Sequence, residues 1–282
     1  MKRTITYLLL GATLTLACAT AALAGVETKL LKSFAIEGVP LSVVMTYDGQ
    51  SLYVLTDKNE VLIYGSEGGL RDRLKLDEPT DSLLVSPRGD ALILGSKEKK
   101  SVRIMALDFI RNIPTAGSAF RGPENAPVSV VLFTDFQCPA CKQMEPLLDQ
   151  VMDKAGKDAK LVVKQFPLVS IHPQAMPAAK AALAANEQGK YWEMHRLLFQ
   201  SGAQLNDAKF KELAKQIGLD MEAFEASLKD PKIQAAIDRD MKDGIDAGVR
   251  GTPTIYINGH LVQPQNRSLD GMLRMIQEYK KK

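Results

Sequence analysis

The sequence predicts an α/β domain with an inserted helical subdomain, preceded by a small all-β domain. Three observations predict it. Val128-Ser129-Val130-Val131-Leu132-Phe133 reads as a buried strand, helical spacing follows from Met144 to about Met152, and Leu161-Val162-Val163 opens a second strand. From roughly 173 to 247 the chain is nearly all helical, and then an apolar hairpin and a closing helix complete it. Upstream, the stretches 42–64 and 82–105 repeat one another.

The N-terminus comes first. Lys2 and Arg3 precede an apolar run from Tyr7 to Leu16, and Ala22-Leu23-Ala24 is the small-x-small pattern a signal peptidase reads. Residues 1–24 are therefore expected to be an export signal, and the run is too interrupted by Thr for a spanning helix of about 20 apolar residues. Cys18 lies inside this segment. Thr15-Leu16-Ala17 before it is a poor version of a lipid-attachment pattern, so Cys18 is expected to leave with the signal rather than anchor the chain. Export to the bacterial periplasm is the compartment this implies, where thiols meet an oxidising environment.

Without residues 1–24 the chain holds 34 basic and 33 acidic residues and two of its three cysteines. Near-neutral charge and the lack of a basic stripe with interleaved aromatics speak against nucleic acid as a partner. With 45% hydrophobic residues the core does not depend on disulfide staples.

Residues 26–110 read as strands. In the repeat, Ser42 matches Ser82, Gly49 matches Gly89, Leu52 matches Leu92 and Val61 matches Val102. Each copy reads strand, Gly turn, strand, polar turn, strand, and a period of about 40 residues resembles a β-propeller blade. Two blades cannot close a propeller. The region is either a small two-sheet domain, the simpler expectation, or one completed by another copy of the chain, which would make a homo-oligomer. Residues 111–127, with Pro114, Gly117, Gly122, Pro123 and Pro127, read as a linker.

Residues 128–282 form the α/β part, with the helical insert at about 173–247. The insert holds an Ala-rich stretch at 178–185 and then YWEMHRLLF, FKELAKQIGL, MEAFEASL and IQAAIDRDMKDGIDAG. Asn258-Gly259 between Thr254-Ile255-Tyr256-Ile257 and His260-Leu261-Val262 is a strong hairpin signal. Leu269, Met272, Leu273 and Ile276 mark one face of the last helix.

Cys138-Pro139-Ala140-Cys141 sits where the first strand gives way to its helix. A structural zinc site wants four N or S ligands, and no His stands near the pair in sequence. A c-type haem needs His after the second Cys, and Lys142 stands there. A staple across so short a loop would constrain little. No metal or cofactor is expected. A redox pair fits. Pro139 suits the first helical position, which leaves Cys138 at the helix N-terminus, where unpaired N–H groups favour a thiolate. Cys138 is then the exposed, attacking sulfur and Cys141, one turn on and beneath it, the resolving one. Gly251-Thr252-Pro253 before a strand is the second piece: a cis-proline there would set a backbone edge beside Cys138 for a substrate strand.

FTDFQCPACKQMEP, EQGKYWEMHRLLF, LAKQIGLDMEAFEASL and GVRGTPTIYINGH occur in that order. Together they resemble the DsbA-like branch of the thioredoxin superfamily, from about Phe120 to the end. The resemblance implies a thioredoxin-like fold with an inserted helical subdomain, Cys138 and Cys141 as the redox pair, Pro139 and Ala140 as the residues that tune it, and Thr252-Pro253 as the cis-proline step touching substrate. It also implies thiol–disulfide exchange with cysteine-containing exported clients and a redox partner in the membrane.

Departures from the family pattern qualify this. Leu132 stands where such proteins carry a buried acid six positions before the first Cys, and Ala140 replaces the His that helps stabilise the DsbA thiolate. A less extreme oxidant than DsbA is expected, within a family range of about −270 to −120 mV. Thr before the cis-proline is similar to the disulfide isomerases, so the direction of electron flow stays open. Asp135 reads as a loop or helix-lead residue, with a proton role as the alternative, Lys164 as a solvated or salt-bridged lysine, His172 and His195 as structural, and His260 as exposed in its hairpin. The competing class is a binding scaffold, in which the β repeats recognise a partner and the thioredoxin-like domain is redox-passive.

Overall fold

The computed structural model describes residues 28–87 and 89–281. The segment expected to be an export signal, with Cys18, lies outside the described residues. The chain divides into two compact units that meet in sequence at Ile104 and Met105.

The first unit holds two antiparallel sheets. Strands β1 (Pro40–Met45), β2 (Ser51–Thr56), β3 (Glu60–Gly65) and β4 (Leu70–Lys75) pair in sequence order. Strands β5 (Ser82–Val85), β6 (Ala91–Ser96) and β7 (Ser101–Ala106) form the second sheet, and β7 runs across the unit boundary. The repeat is visible in the backbone. Gly49 and Gly89, matched in the two copies, both have positive φ, and so do the matched polar-turn residues Asn59 and Lys100. One face of the first sheet buries Tyr53, Leu55, Val61 and Ile63, and one face of the second buries Leu83, Leu92 and Leu94. The sheets meet at β1, β2 and β5: Ser42 Oγ donates to Leu83 O at 3.3 Å, and the Tyr53 hydroxyl to Gly89 O at 3.3 Å. The first sheet has one strand more than the repeat, and no propeller is formed among the described residues.

The second unit is built on one mixed sheet. Its strands are β8 (Phe120–Arg121), β9 (Val128–Thr134), β10 (Ala159–Gln165), β11 (Thr254–Ile257) and β12 (His260–Leu261), in the spatial order β12-β11-β9-β10-β8. β9 and β10 are parallel, joined by helix α1 (Pro139–Ala155), and the other pairings are antiparallel. β8 corrects the linker expectation for 111–127. Arg121 and Phe120 pair with Leu161 and Val162, so part of that stretch is an edge strand of the sheet.

β9 reads as a continuous apolar run because both of its faces are covered. Val128, Val130 and Leu132 join the larger core with α1 and the helical insert. Val131 and Phe133 pack with Val162, Phe166, Val249 and Tyr256 on the other side. The insert comprises α2 (Ala175–Asn186), α3 (Tyr191–Ser201), α4 (Asp207–Gln216), α5 (Met221–Lys229) and α6 (Pro231–Ala247), and α7 (Leu269–Tyr279) closes the unit. Side chains of Asn206, Asp220, Asp230 and Ser268 cap α4, α5, α6 and α7, each accepting from an otherwise unpaired N–H of the first turn. At the hairpin, Asn258 and Gly259 have φ of 46° and 83°, the left-handed pair a tight antiparallel turn requires. This is a thioredoxin-like α/β unit with a helical insert. Among the described residues no helix is long and apolar enough to cross a membrane.

Candidate active site

The site forms where β9 ends and α1 begins. Cys138 is the N-cap of α1, with extended backbone (φ −72°, ψ 119°), and Pro139 takes the first helical position. The Cys138 N–H donates to Asp135 O at 3.1 Å, and the Cys138 carbonyl accepts from Lys142 N at 3.2 Å, the first turn of the helix. Pro139 and Ala140 are exposed. Cys138 is 7% exposed, less open than expected of a residue with an attacking sulfur, and Cys141 is 1% exposed. The segment leading into β11 meets Cys138. Its Sγ donates to Thr252 O at 3.4 Å, and the Thr252–Pro253 peptide is cis. Two segments far apart in sequence thus meet at one sulfur.

Cys141 sits in a different environment. Burial pushes its thiol up to about 12. The hydroxyls of Thr134 and Thr252 and the backbone N–H of Asp135 work the other way, and the neighbouring Cys138 adds to the rise. The Thr134 and Thr252 hydroxyl oxygens are buried and make no hydrogen bond of normal geometry among the described residues. Thr134, at the end of β9, carried no signal in the sequence beyond being the residue before Asp135.

Asp135 is an anchor. Its carboxylate is wholly buried, with Oδ1 accepting from Gln137 N at 2.8 Å and Oδ2 from Leu168 N at 2.9 Å. His172 Nδ1 lies 2.7 Å from the same Oδ2. These bonds tie the loop before Cys138 to the loop after β10, which carries exposed Val169 and Ile171. Both oxygens are committed, which makes Asp135 the loop residue it was expected to be and gives His172 its structural place.

Lys164 is salt-bridged and buried rather than solvated. Its Nζ lies 2.9 Å from Asp240 Oδ1 and 2.8 Å from Asp243 Oδ2, both on α6. Burial pushes the Asp240 carboxyl up, and Lys164 opposes that. Leu132 is buried in the larger core. The titratable group that sequence reasoning missed is Glu145, one helical turn beyond Cys141. It faces His195, which packs against Phe136, Tyr191, Trp192 and Phe199 with ring centroids 5.0–5.6 Å away. His260 is not exposed as expected: its ring stacks on Tyr279 at 3.9 Å and its Nδ1 lies 2.6 Å from Asp108.

Comparison with known proteins follows this geometry. The family model described as Thioredoxin matches residues 115–278. A thioredoxin-like oxidoreductase from Silicibacter pomeroyi is 26% identical, with a TM-score of 0.54, covering 59% of this chain and 94% of that one. The thiol-disulfide exchange protein alpha-DsbA2 from Wolbachia pipientis is 25% identical, with a TM-score of 0.51, covering 58% of this chain and 87% of that one. A protein named Na(+)/H(+) antiporter NhaA 1 from Salinispora arenicola is 40% identical over 140 residues, 49% of this chain. The chain spans only 21% of the length of that relative. The matched family stretch takes in β8, the Cys138 helix start, the whole helical insert and the cis Thr252–Pro253 step, and the chain belongs to the thioredoxin family, in its DsbA-like form.

Proposed function

We propose that this protein catalyses thiol–disulfide exchange in exported, cysteine-containing clients through Cys138 and Cys141. The observation that carries the reading is the asymmetry of the pair. Cys138 stands at the N-cap position of α1 with its Sγ on the carbonyl of Thr252, the residue before the cis-proline, while Cys141 is enclosed and its thiol pushed up to about 12. Family membership supports the same chemistry.

The chemistry runs through two exchanges. With the pair oxidised, a client thiolate attacks Cys138 Sγ. The S–S bond breaks, its electron pair leaves on Cys141, and Cys141 takes a proton. A mixed disulfide now joins client and Cys138. A second client thiolate attacks the client sulfur of that bond and expels Cys138 as thiolate. The client gains a disulfide and the protein ends with two thiols, so two electrons have passed to it. Run backwards, the same steps reduce a client. The Thr252 carbonyl edge is the place for client backbone to pair, and Val169 and Ile171 offer apolar contact on the adjoining loop. The residues at 1–24 support export, and regeneration of the pair calls for a redox partner in the membrane.

Equilibrating the protein against glutathione buffers and trapping the thiols tests this. Reversible exchange is expected, and Cys138→Ser abolishes it. A potential near or above about −150 mV makes the protein a donor of disulfides, and one near or below about −230 mV a reductase or isomerase kept reduced by its partner. Absence of any exchange by the intact pair overturns the proposal.

A further inference from the structure

The repeat in the first unit defines two faces, and the structure shows how they pack. In the first sheet, the register puts Val44, Tyr53 and Ile63 on one face, with Ser42, Leu55 and Val61. The opposite face carries Val43, Val54 and Leu62. The repeat alignment maps the first set onto Leu84, Ile93, Val102 and Ile104, and the second onto Leu83, Leu94 and Arg103. Within the unit, the first sheet presents the first kind of face and the second sheet receives it with the second kind. Leu83, the counterpart of Val43, is buried, and so are Val61 and Ile63, the counterparts of Val102 and Ile104.

Among the described residues each kind of face is left over once. On the second sheet, Leu84, Val102 and Ile104 stand exposed, the last two at 71% and 76%, with half-buried Ile93 among them. On the first sheet, Leu41, Val43 and Met45 form an exposed apolar row along β1. Phe34 and Ile36 cover that face over β2 and β3, where Phe34 lies 5.1 Å from Tyr64, and they leave the β1 row open. That row is the counterpart of β5, the strand through which the second sheet meets β1 and β2 within the unit.

We infer that copies of this chain associate head to tail: the Leu84/Val102/Ile104 face of one seats on the Leu41/Val43/Met45 row of the next, continuing the sheet-on-sheet contact already made inside each copy. A heterologous contact of this kind closes into a ring or extends as a chain, and stops wherever one face is spoiled. Exposed apolar faces of this sort are uncommon on monomers.

Sedimentation velocity over a range of protein concentrations is the test. The unaltered protein is expected to associate. Ile104→Glu and Val43→Glu spoil one face each, and each variant alone is expected to sediment as a single chain. Mixed in equal amounts they have one good face apiece, and are expected to form a species of two chains and no larger. Val102→Lys and Met45→Lys repeat the pairing at neighbouring exposed positions, and far-UV circular dichroism checks that all four fold. A single chain at every concentration of the unaltered protein overturns the inference. So does association that survives Val43→Glu, because it means like faces pair.

Discussion

Glu145 Oε2 and His195 Nδ1 lie 3.5 Å apart, and burial drives both side chains toward their neutral forms. Burial, with the Asp149 carboxylate nearby, pushes the Glu145 carboxyl up to about 7. Burial, with Arg121 and Arg196 nearby, pushes the His195 imidazole down to about 3. Around pH 6 the contact is a neutral acid beside a neutral imidazole.

A pH dependence follows from Glu145. Its folded value of about 7 lies above the ordinary 4.5 of the unfolded chain, so the folded state holds more protons between these limits. The stability this gives is present in full below about 4.5 and is lost as pH rises through 7. Glu145→Gln removes the dependence. The side chain is still 21% exposed, so the variant is expected to gain about 2 kcal/mol over the parent at pH 8 and little at pH 5. Urea unfolding at both pH values measures it, and an equal difference at the two rejects the account.

Lys164 offers a sharper loss. Lys164→Met strips the ammonium from Asp240 and Asp243 and leaves buried carboxylate without its counter-charge. A cost of about 3–5 kcal/mol is expected, partly recovered when Asp240→Asn is added. Guanidinium midpoints of the single and double variants decide, and an unchanged midpoint for Lys164→Met would falsify the role assigned to this ion pair.

Under the proposed exchange, Cys141 sets the rate at which a mixed disulfide on Cys138 resolves. With its thiol near 12, the reactive thiolate fraction grows about tenfold per pH unit across the neutral range. Resolution is expected to accelerate accordingly. Thr134→Val removes a hydroxyl that favours the thiolate and is expected to slow resolution about fivefold, the value of one hydrogen bond of ~1 kcal/mol. Stopped-flow release from a mixed disulfide with a chromogenic thiol reads the rate. A Thr134→Val rate equal to the parent's counts against the contact.

The hairpin gives a test of the fold. A Cβ on Gly259 meets the carbonyl oxygen and the nitrogen of Arg111, whose N–H donates to Gly259 O at 2.8 Å. At a φ of 83° the added carbon also strains the turn. Gly259→Ala is expected to cost about 2 kcal/mol or more, seen as a lowered thermal midpoint. A shift within error removes the turn from the features that hold β12 in place.

What was legible in the sequence was what neighbours in sequence decide. Asn258-Gly259 fixes its own turn, Pro139 starts its own helix, and the run from Val128 to Phe133 announces a strand covered on both sides. The repeat was legible because two copies of one local pattern stand in register. What escaped depends on distant partners. Phe120 and Arg121 lie among Pro and Gly residues, and only pairing with Leu161 and Val162 makes them a strand. Glu145 is an ordinary helix carboxylate until α3 brings His195 beside it. His260 read as exposed because Tyr279 and Asp108, which enclose it, come from opposite ends of the unit. At the cysteine pair the residue types were plain, but the threonine hydroxyls that counter the rise of the Cys141 thiol were not.

The ion pair between β10 and α6 also bears on how this domain can be cut. The helical insert looks like a module that could be excised by joining the chain near 172 to 248, leaving a minimal sheet with its cysteines. Lys164 belongs to the sheet and Asp240 and Asp243 to the insert, and Asp240 Oδ2 accepts from Gln165 N at 2.9 Å as well. Excision would leave a lysine with no counter-charge in the strand next to the one that delivers Cys138. The sheet therefore relies on the insert for its charge balance, and miniaturisation would have to begin by replacing Lys164 with an apolar residue.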